Sequence, residues 1–139
     1  MEKSNDVLMP EIERLLNSGH MVEFVPRGVS MRPFIEGGAD KVVVKRSEGL
    51  YVGTIVLAKV NSRYVLHRIY KIKGKQIMLR GDGNLSGFEM CSADDILGCV
   101  VRICAQNGKR KCLNKAYLWR HLPVFARRIC LKIYRKMIQ

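Results

Sequence analysis

The sequence predicts a mainly β protein: a small barrel or sandwich of short strands, with a short helix before it and a basic helix after it. Three observations carry this. From residue 21 to about 105 the apolar residues recur with a period of two, in runs rich in Val, Ile, Leu and Tyr. Glycine-containing breaks separate the runs. Outside that stretch the apolar period becomes helical.

In chain order, residues 4–18 read as a helix. Leu8, Ile12, Leu15 and Leu16 share a face, Pro10 is placed in the first turn, and Asn17-Ser18-Gly19 supplies a stop. Strands are expected over 21–26, 40–46, 54–59, 63–72, 76–80 and 96–105, parted by Gly37-Gly38, Gly49, Gly53, Gly74 and the stretch from Gly81 to Gly87. Gln106-Asn107-Gly108 then marks a boundary. Residues 1–106 are thus expected to form one domain and 107–139 a helical tail, with Pro123 well suited to a helix start.

Charge follows the same division. Of 25 Lys and Arg, 15 lie in residues 1–106 together with all 12 Asp and Glu; the other 10 lie in 107–139 with no acid. After Pro123, Ala126, Ile129, Cys130, Ile133, Tyr134 and Met137 fall on one helical face, while Arg127, Arg128, Lys132, Arg135 and Lys136 crowd the other. Three readings fit: packing of the apolar stripe on the protein's own barrel, contact with an anionic membrane surface, or a partner protein or nucleic acid. The nearly neutral body and the lack of stacking aromatics in the tail argue against nucleic acid.

Several classes are excluded. No apolar run approaches the 18 or so residues of a membrane span. The polar start Met1-Glu2-Lys3-Ser4-Asn5-Asp6 is neither a secretory signal nor a transit peptide. Five cysteines without a C-x-x-C pair suit free thiols in a reducing compartment, so the cytoplasm is expected, with the tail able to bring the protein to the inner face of a membrane. Cys112 and His121 stand nine apart with no second pair, which argues against zinc. No metal or organic cofactor is expected.

Three segments can carry chemistry. Arg27-Gly28-Val29-Ser30-Met31-Arg32-Pro33 follows a strand; a serine in such a turn can expose its hydroxyl and offer its backbone N–H to an oxyanion. It can equally be a turn former. Tyr64-Val65-Leu66-His67-Arg68-Ile69-Tyr70 is a strand whose alternation puts His67 on a face with Val65 and Ile69. That imidazole is either a hydrogen-bonded core residue or a general base. Gly81-Asp82-Gly83-Asn84 follows the next strand. It is a common turn sequence, or else Asp82 orients His67 and completes a triad.

Taken in this order, the segments resemble the signal peptidase and LexA-type serine peptidase superfamily, from about Glu23 to Ile103. Gly28-Val29-Ser30-Met31-x-Pro33 is similar to its nucleophile box, and Asp40-Lys41-Val42-Val43-Val44 to the strand that follows. Gly53-Thr54-Ile55-Val56 resembles its G-D-I-V turn, Val65–Ile69 its general-base strand, Gly81–Asn84 its G-D-N element and Ile96–Val100 its closing strand. His67 stands where most bacterial members carry lysine, as in the branch of the endoplasmic-reticulum, archaeal and spore-former signal peptidases. Departures are Thr54 for the usual Asp, Gly37-Gly38-Ala39-Asp40 for a simple Gly-Asp, and Gly28, which supplies no side-chain oxyanion donor. A second acid after the G-D-N element, present in some members, has Glu89 as its nearest candidate. The membrane anchor usual before the nucleophile in signal peptidases is expected to be missing, since only the helix at 4–18 precedes it.

The resemblance implies a serine endopeptidase that cleaves a leader or precursor peptide through Ser30, His67 and Asp82. The alternatives are a non-catalytic peptide-binding module on the same fold, or a membrane-surface or nucleic-acid-binding protein using the tail. LexA-type members cut themselves at an Ala-Gly or Cys-Gly bond upstream of the serine, and residues 1–29 contain neither alanine nor cysteine. The purified protein is therefore expected to keep its intact mass through prolonged alkaline incubation. A fragment that forms in the wild type and not in Ser30→Ala would refute this.

Overall fold

A computed structural model describes residues 5–47 and 49–138. The remaining positions, including Ser4 at the expected helix start, lie outside the described residues. The chain is mainly β: eight antiparallel strands form one curled, half-barrel sheet, with helix α1 (Asn5–Asn17) before it and helices α2 (Tyr117–His121) and α3 (Val124–Met137) after it. The strands are β1 (Val22–Phe24), β2 (Lys41–Lys45), β3 (Ile55–Val60), β4 (Arg63–Lys73), β5 (Gln76–Arg80), β6 (Glu89–Ser92), β7 (Ile96–Cys104) and β8 (Arg110–Lys111). They lie in the order β1-β2-β7-β3-β4-β5-β6, and β8 pairs with β7.

Strand β3 is central, between β7 and β4, and is buried on both faces. Ile55 and Leu57 point into a cluster with Ile12 and Leu16 of α1, Val42 and Val44 of β2, and Val100 and Ile103 of β7. Val56, Ala58 and Val60 point the other way, against Ile69, Ile77 and Leu79. Each such aliphatic side chain taken fully from water contributes about 1.5–3 kcal/mol. Met31 and Ile35, from the loop after β1, belong to the α1 cluster. The loop that holds Ser30 is thus anchored in the core on its C-terminal side.

The helix stop at Asn17-Ser18-Gly19 is a Schellman cap. Gly19 adopts φ 88°, its N–H donates to Leu16 O, and the His20 N–H donates to Leu15 O. Several boundaries differ from the sequence expectation. Pro10 falls in the second turn of α1, where it withholds one helical N–H. The strand expected over 21–26 pairs only at Val22–Phe24, because β2 offers partners to those three residues alone. Strands β6 and β8 and helix α2 were not foreseen; two to five residues are too few to show a period.

The tail docks differently from its apolar stripe. Arg127 is buried, Leu131 and Tyr134 are half-buried, and Ile129, Ile133 and Met137 face solvent. Tyr134 Oη donates to Glu36 Oε2 at 3.1 Å, and Glu36 also receives Arg32 Nε and Nη2 at 2.8 and 2.7 Å. Burial, with help from Glu36, pushes the Tyr134 phenol up to about 12, so it stays a neutral donor well above neutral pH. Among the described residues, no helix is long and apolar enough to cross a membrane.

The β3–β4 hairpin turns on Asn61 and Ser62, both left-handed at φ 50° and 65°, which is the type I′ arrangement. A serine there strains its backbone, whereas Asn-Gly fits without cost. Ser62→Gly is expected to raise stability by about 0.5 kcal/mol, the relief of strain exceeding the added entropy of the unfolded chain. A higher urea midpoint at unchanged slope would show it; a lower midpoint would refute it.

Candidate active site

Ser30 and His67 line one cleft. Its walls are Pro26–Gly28 and the Ser30 loop on one side and residues 63–67 of β4 on the other, with Asn84 and Glu89 at the margin. Gly28 has φ 89°, a conformation that bends the chain out of β1 into the loop and that residues with a Cβ resist. Ser30 is half-buried, and among the described residues its backbone N–H has no hydrogen-bond partner.

The loop is held from below by residues 81–84. Gly83 N–H donates to Ser30 O at 2.8 Å. A Cβ on Gly81 would overlap the Ser30 carbonyl, and one on Gly83 would press on Val29 O. Both glycines are required by this backbone-to-backbone approach. The element that reads as a turn from the sequence is therefore the floor under the serine.

His67 is 6% exposed. Its Nδ1 lies 2.9 Å from Glu89 Oε2; a carboxylate oxygen accepts, so this contact keeps a proton on Nδ1 and leaves Nε2 facing elsewhere. Among the described residues, Nε2 makes no hydrogen bond and none joins His67 to Ser30 Oγ. Such bonds are commonly open in an unliganded site and tighten around substrate.

Asp82 is not where a triad would need it. It is fully buried, and both carboxylate oxygens accept from Arg68: Nε at 2.9 and 3.0 Å, Nη2 at 2.8 Å. Burial pushes its carboxyl above the ordinary range, while the hydrogen bonds and charge of Arg68 pull it back. Arg68 Nη1 donates to Gly53 O at 2.7 Å and Asn114 O at 2.8 Å, and its guanidinium lies 5.0 Å from the Phe34 ring centre. Trp119 Nε1 donates to Asp82 O at 2.8 Å. The expectation that Asp82 orients the imidazole is thus corrected: strand alternation turns Arg68 to the opposite face from His67, and Asp82 follows Arg68. Glu89 takes the orienting place. The sequence named it only as the nearest second acid, and its strand β6 was too short to be seen.

No lysine lines the cleft, and Lys71 and Lys73 are exposed. No group of His, Cys, Asp and Glu among the described residues is arranged to hold a metal. The buried Cys91 thiol, pushed up to about 11 mainly by burial, is a packing group and not a nucleophile.

One side of the cleft is a strand edge. From Arg63 to His67, β4 pairs with β3 on one edge only; its pairing with β5 begins at Arg68. Ile69 N–H donates towards β3, to Thr54 O, so alternation turns the backbone of Tyr64 and Leu66 to the open edge. The N–H and C=O groups of these two residues are paired by no strand among the described residues. Compared with protein-family models and with curated proteins, the chain matches none.

The two carboxylates should separate by experiment. Asp82→Asn strands a buried guanidinium, and breaking such a pair costs about 3–5 kcal/mol. Glu89→Gln changes a partly exposed group and should cost under about 1 kcal/mol. Denaturant melts of both variants check this; equal losses would show that Asp82 does not carry the fold.

Proposed function

We propose that the protein is a serine endopeptidase of the signal-peptidase type, acting on a leader or precursor peptide. The observation that carries this reading is a single cleft. In it, a serine and a carboxylate-bonded imidazole face a strand edge, and among the described residues neither the serine backbone N–H nor that edge has a hydrogen-bond partner. Together with the ordered resemblance from Glu23 to Ile103, these supply each part that acyl transfer needs.

The substrate strand adds to the edge at Tyr64 and Leu66, which sets its scissile carbonyl over Ser30. Ser30 Oγ attacks the carbonyl carbon as His67 Nε2 takes the hydroxyl proton. Glu89, on Nδ1–H, holds the tautomer and stabilises the imidazolium without taking the proton itself. The Ser30 N–H donates to the oxyanion, a contact typically worth about 100- to 1000-fold in rate. His67 then protonates the leaving amine, giving an acyl-enzyme. Water, deprotonated by the same imidazole, releases the acid and restores Ser30. Asp82 acts at one remove, by fixing the loop under Ser30.

Labelling with a serine-directed fluorophosphonate probe tests the reading. The wild type should be labelled and Ser30→Ala should not. His67→Ala should slow labelling by about 10²- to 10⁴-fold, and Glu89→Gln by roughly tenfold or more. A wild type that folds yet resists the probe would instead be a peptide-binding module on the same fold, in keeping with the lack of a Ser30–His67 hydrogen bond among the described residues.

A further inference from the structure

The tail helix presents its apolar side outward. α3 rests on the body through Arg127, Leu131 and Tyr134, while Phe125 and Met137 are 68% and 77% exposed, and Ile129 and Ile133 more than half. At 3.6 residues per turn these four form one continuous ridge. Arg128, Lys132 and Arg135 form a second ridge beside it. The basic ridge borders a groove of about 330 Å³, closed on the other side by Val29, Arg32 and Gly83. Arg32 is neutralised by Glu36. Among the described residues, none of the three cations on α3 is paired with a carboxylate, and the segment from residue 107 onward contains no acid.

Helices of this kind lie in a membrane interface, apolar side down and cations at headgroup level. A polyanion such as nucleic acid would satisfy the cations and leave four large apolar side chains in water. An anionic bilayer covers both ridges at once. We propose that α3 docks the protein on an anionic membrane surface, with Phe125, Ile129, Ile133 and Met137 in the interface and Arg128, Lys132 and Arg135 on headgroup phosphates.

The docking helix is tied to the nucleophile loop. Val29 and Arg32 flank Ser30 and form the far wall of the groove, and Arg32 meets Tyr134 of α3 through Glu36. A docked molecule therefore holds Ser30 beside the surface, where it would meet a membrane-bound precursor. That consequence rests on the peptidase reading; the docking itself does not.

Co-sedimentation of the full chain with vesicles tests it. Binding to phosphatidylcholine containing about one-third phosphatidylglycerol should exceed binding to phosphatidylcholine alone by about tenfold or more, and should weaken with salt. Ile129→Ser with Ile133→Ser, and separately Arg128→Gln, Lys132→Gln and Arg135→Gln together, should each lower binding by about tenfold or more. All these positions are exposed or at the groove margin, so thermal melting and probe labelling should be unchanged. No binding by the full chain, equal binding to neutral and anionic vesicles, or wild-type binding by both variants would overturn the proposal. So would displacement from vesicles by duplex DNA at equal phosphate. Ser30→Ala should bind vesicles like the wild type. A wild type that binds them yet resists the probe would sink the peptidase reading and leave the docking standing.

Discussion

The buried Arg68–Asp82 ion pair sits at the end of the β4–β5 ladder, where Arg68 pairs with Arg80, and gathers loops and tail that this ladder does not reach. Arg68 belongs to β4 and Asp82 to the loop after β5, and both are withdrawn from water. Charges so placed are tolerated only when their hydrogen bonds are met. The carboxylate therefore takes three contacts from the guanidinium. The guanidinium also holds the carbonyls of Gly53 and Asn114, and the Asp82 carbonyl takes the Trp119 indole. The β2–β3 connection, the loop under Ser30 and the start of the tail are fixed to one point by this requirement. His67 is the neighbouring residue on the strand, so the imidazole and the floor of the Ser30 loop share one anchor.

Glu89 and Asp82 make different contacts because their surroundings differ. Asp82 has no exposed surface and spends both oxygens on Arg68. Glu89 sits on an outer strand, partly open to solvent, with one oxygen on Nδ1 of His67. A partly solvated carboxylate can accommodate a change of charge on the imidazole it touches. A fully buried one, already committed to a guanidinium, can do so only by breaking a costly pair.

A chain of contacts runs from the serine loop to the surface of the tail. Arg32 holds Glu36, Glu36 receives Tyr134, and Tyr134 lies on the inner side of α3, whose outer side is the apolar ridge. The Ser30 loop and the inner side of α3 are thus joined through three side chains. The unpaired edge of β4 then offers backbone partners at Tyr64 and Leu66 to whatever extended chain arrives.

Much of this was legible in the sequence, because it depends on local period and spacing. Short apolar runs between glycine breaks marked β2 and β3 over residues 40–46 and 54–59, and alternation marked β5 over 76–80, since burial on both faces or on one is written directly into the residue order. Gly19 announced the end of α1, because an αL cap needs a residue without a Cβ. The spacing singled out Ser30 and His67, which both line one cleft without a hydrogen bond between them among the described residues. Other features belong to the tertiary structure alone. Which acid meets His67 depends on Arg68 claiming Asp82, a contact across the sheet that sequence distance does not encode. The glycines of residues 81–83 serve an approach to Ser30 across fifty residues. The helical period showed that α3 has an apolar side. Only packing decided that this side faces outward, because Tyr134 and Arg127 find polar partners on the body that the aliphatic residues cannot use.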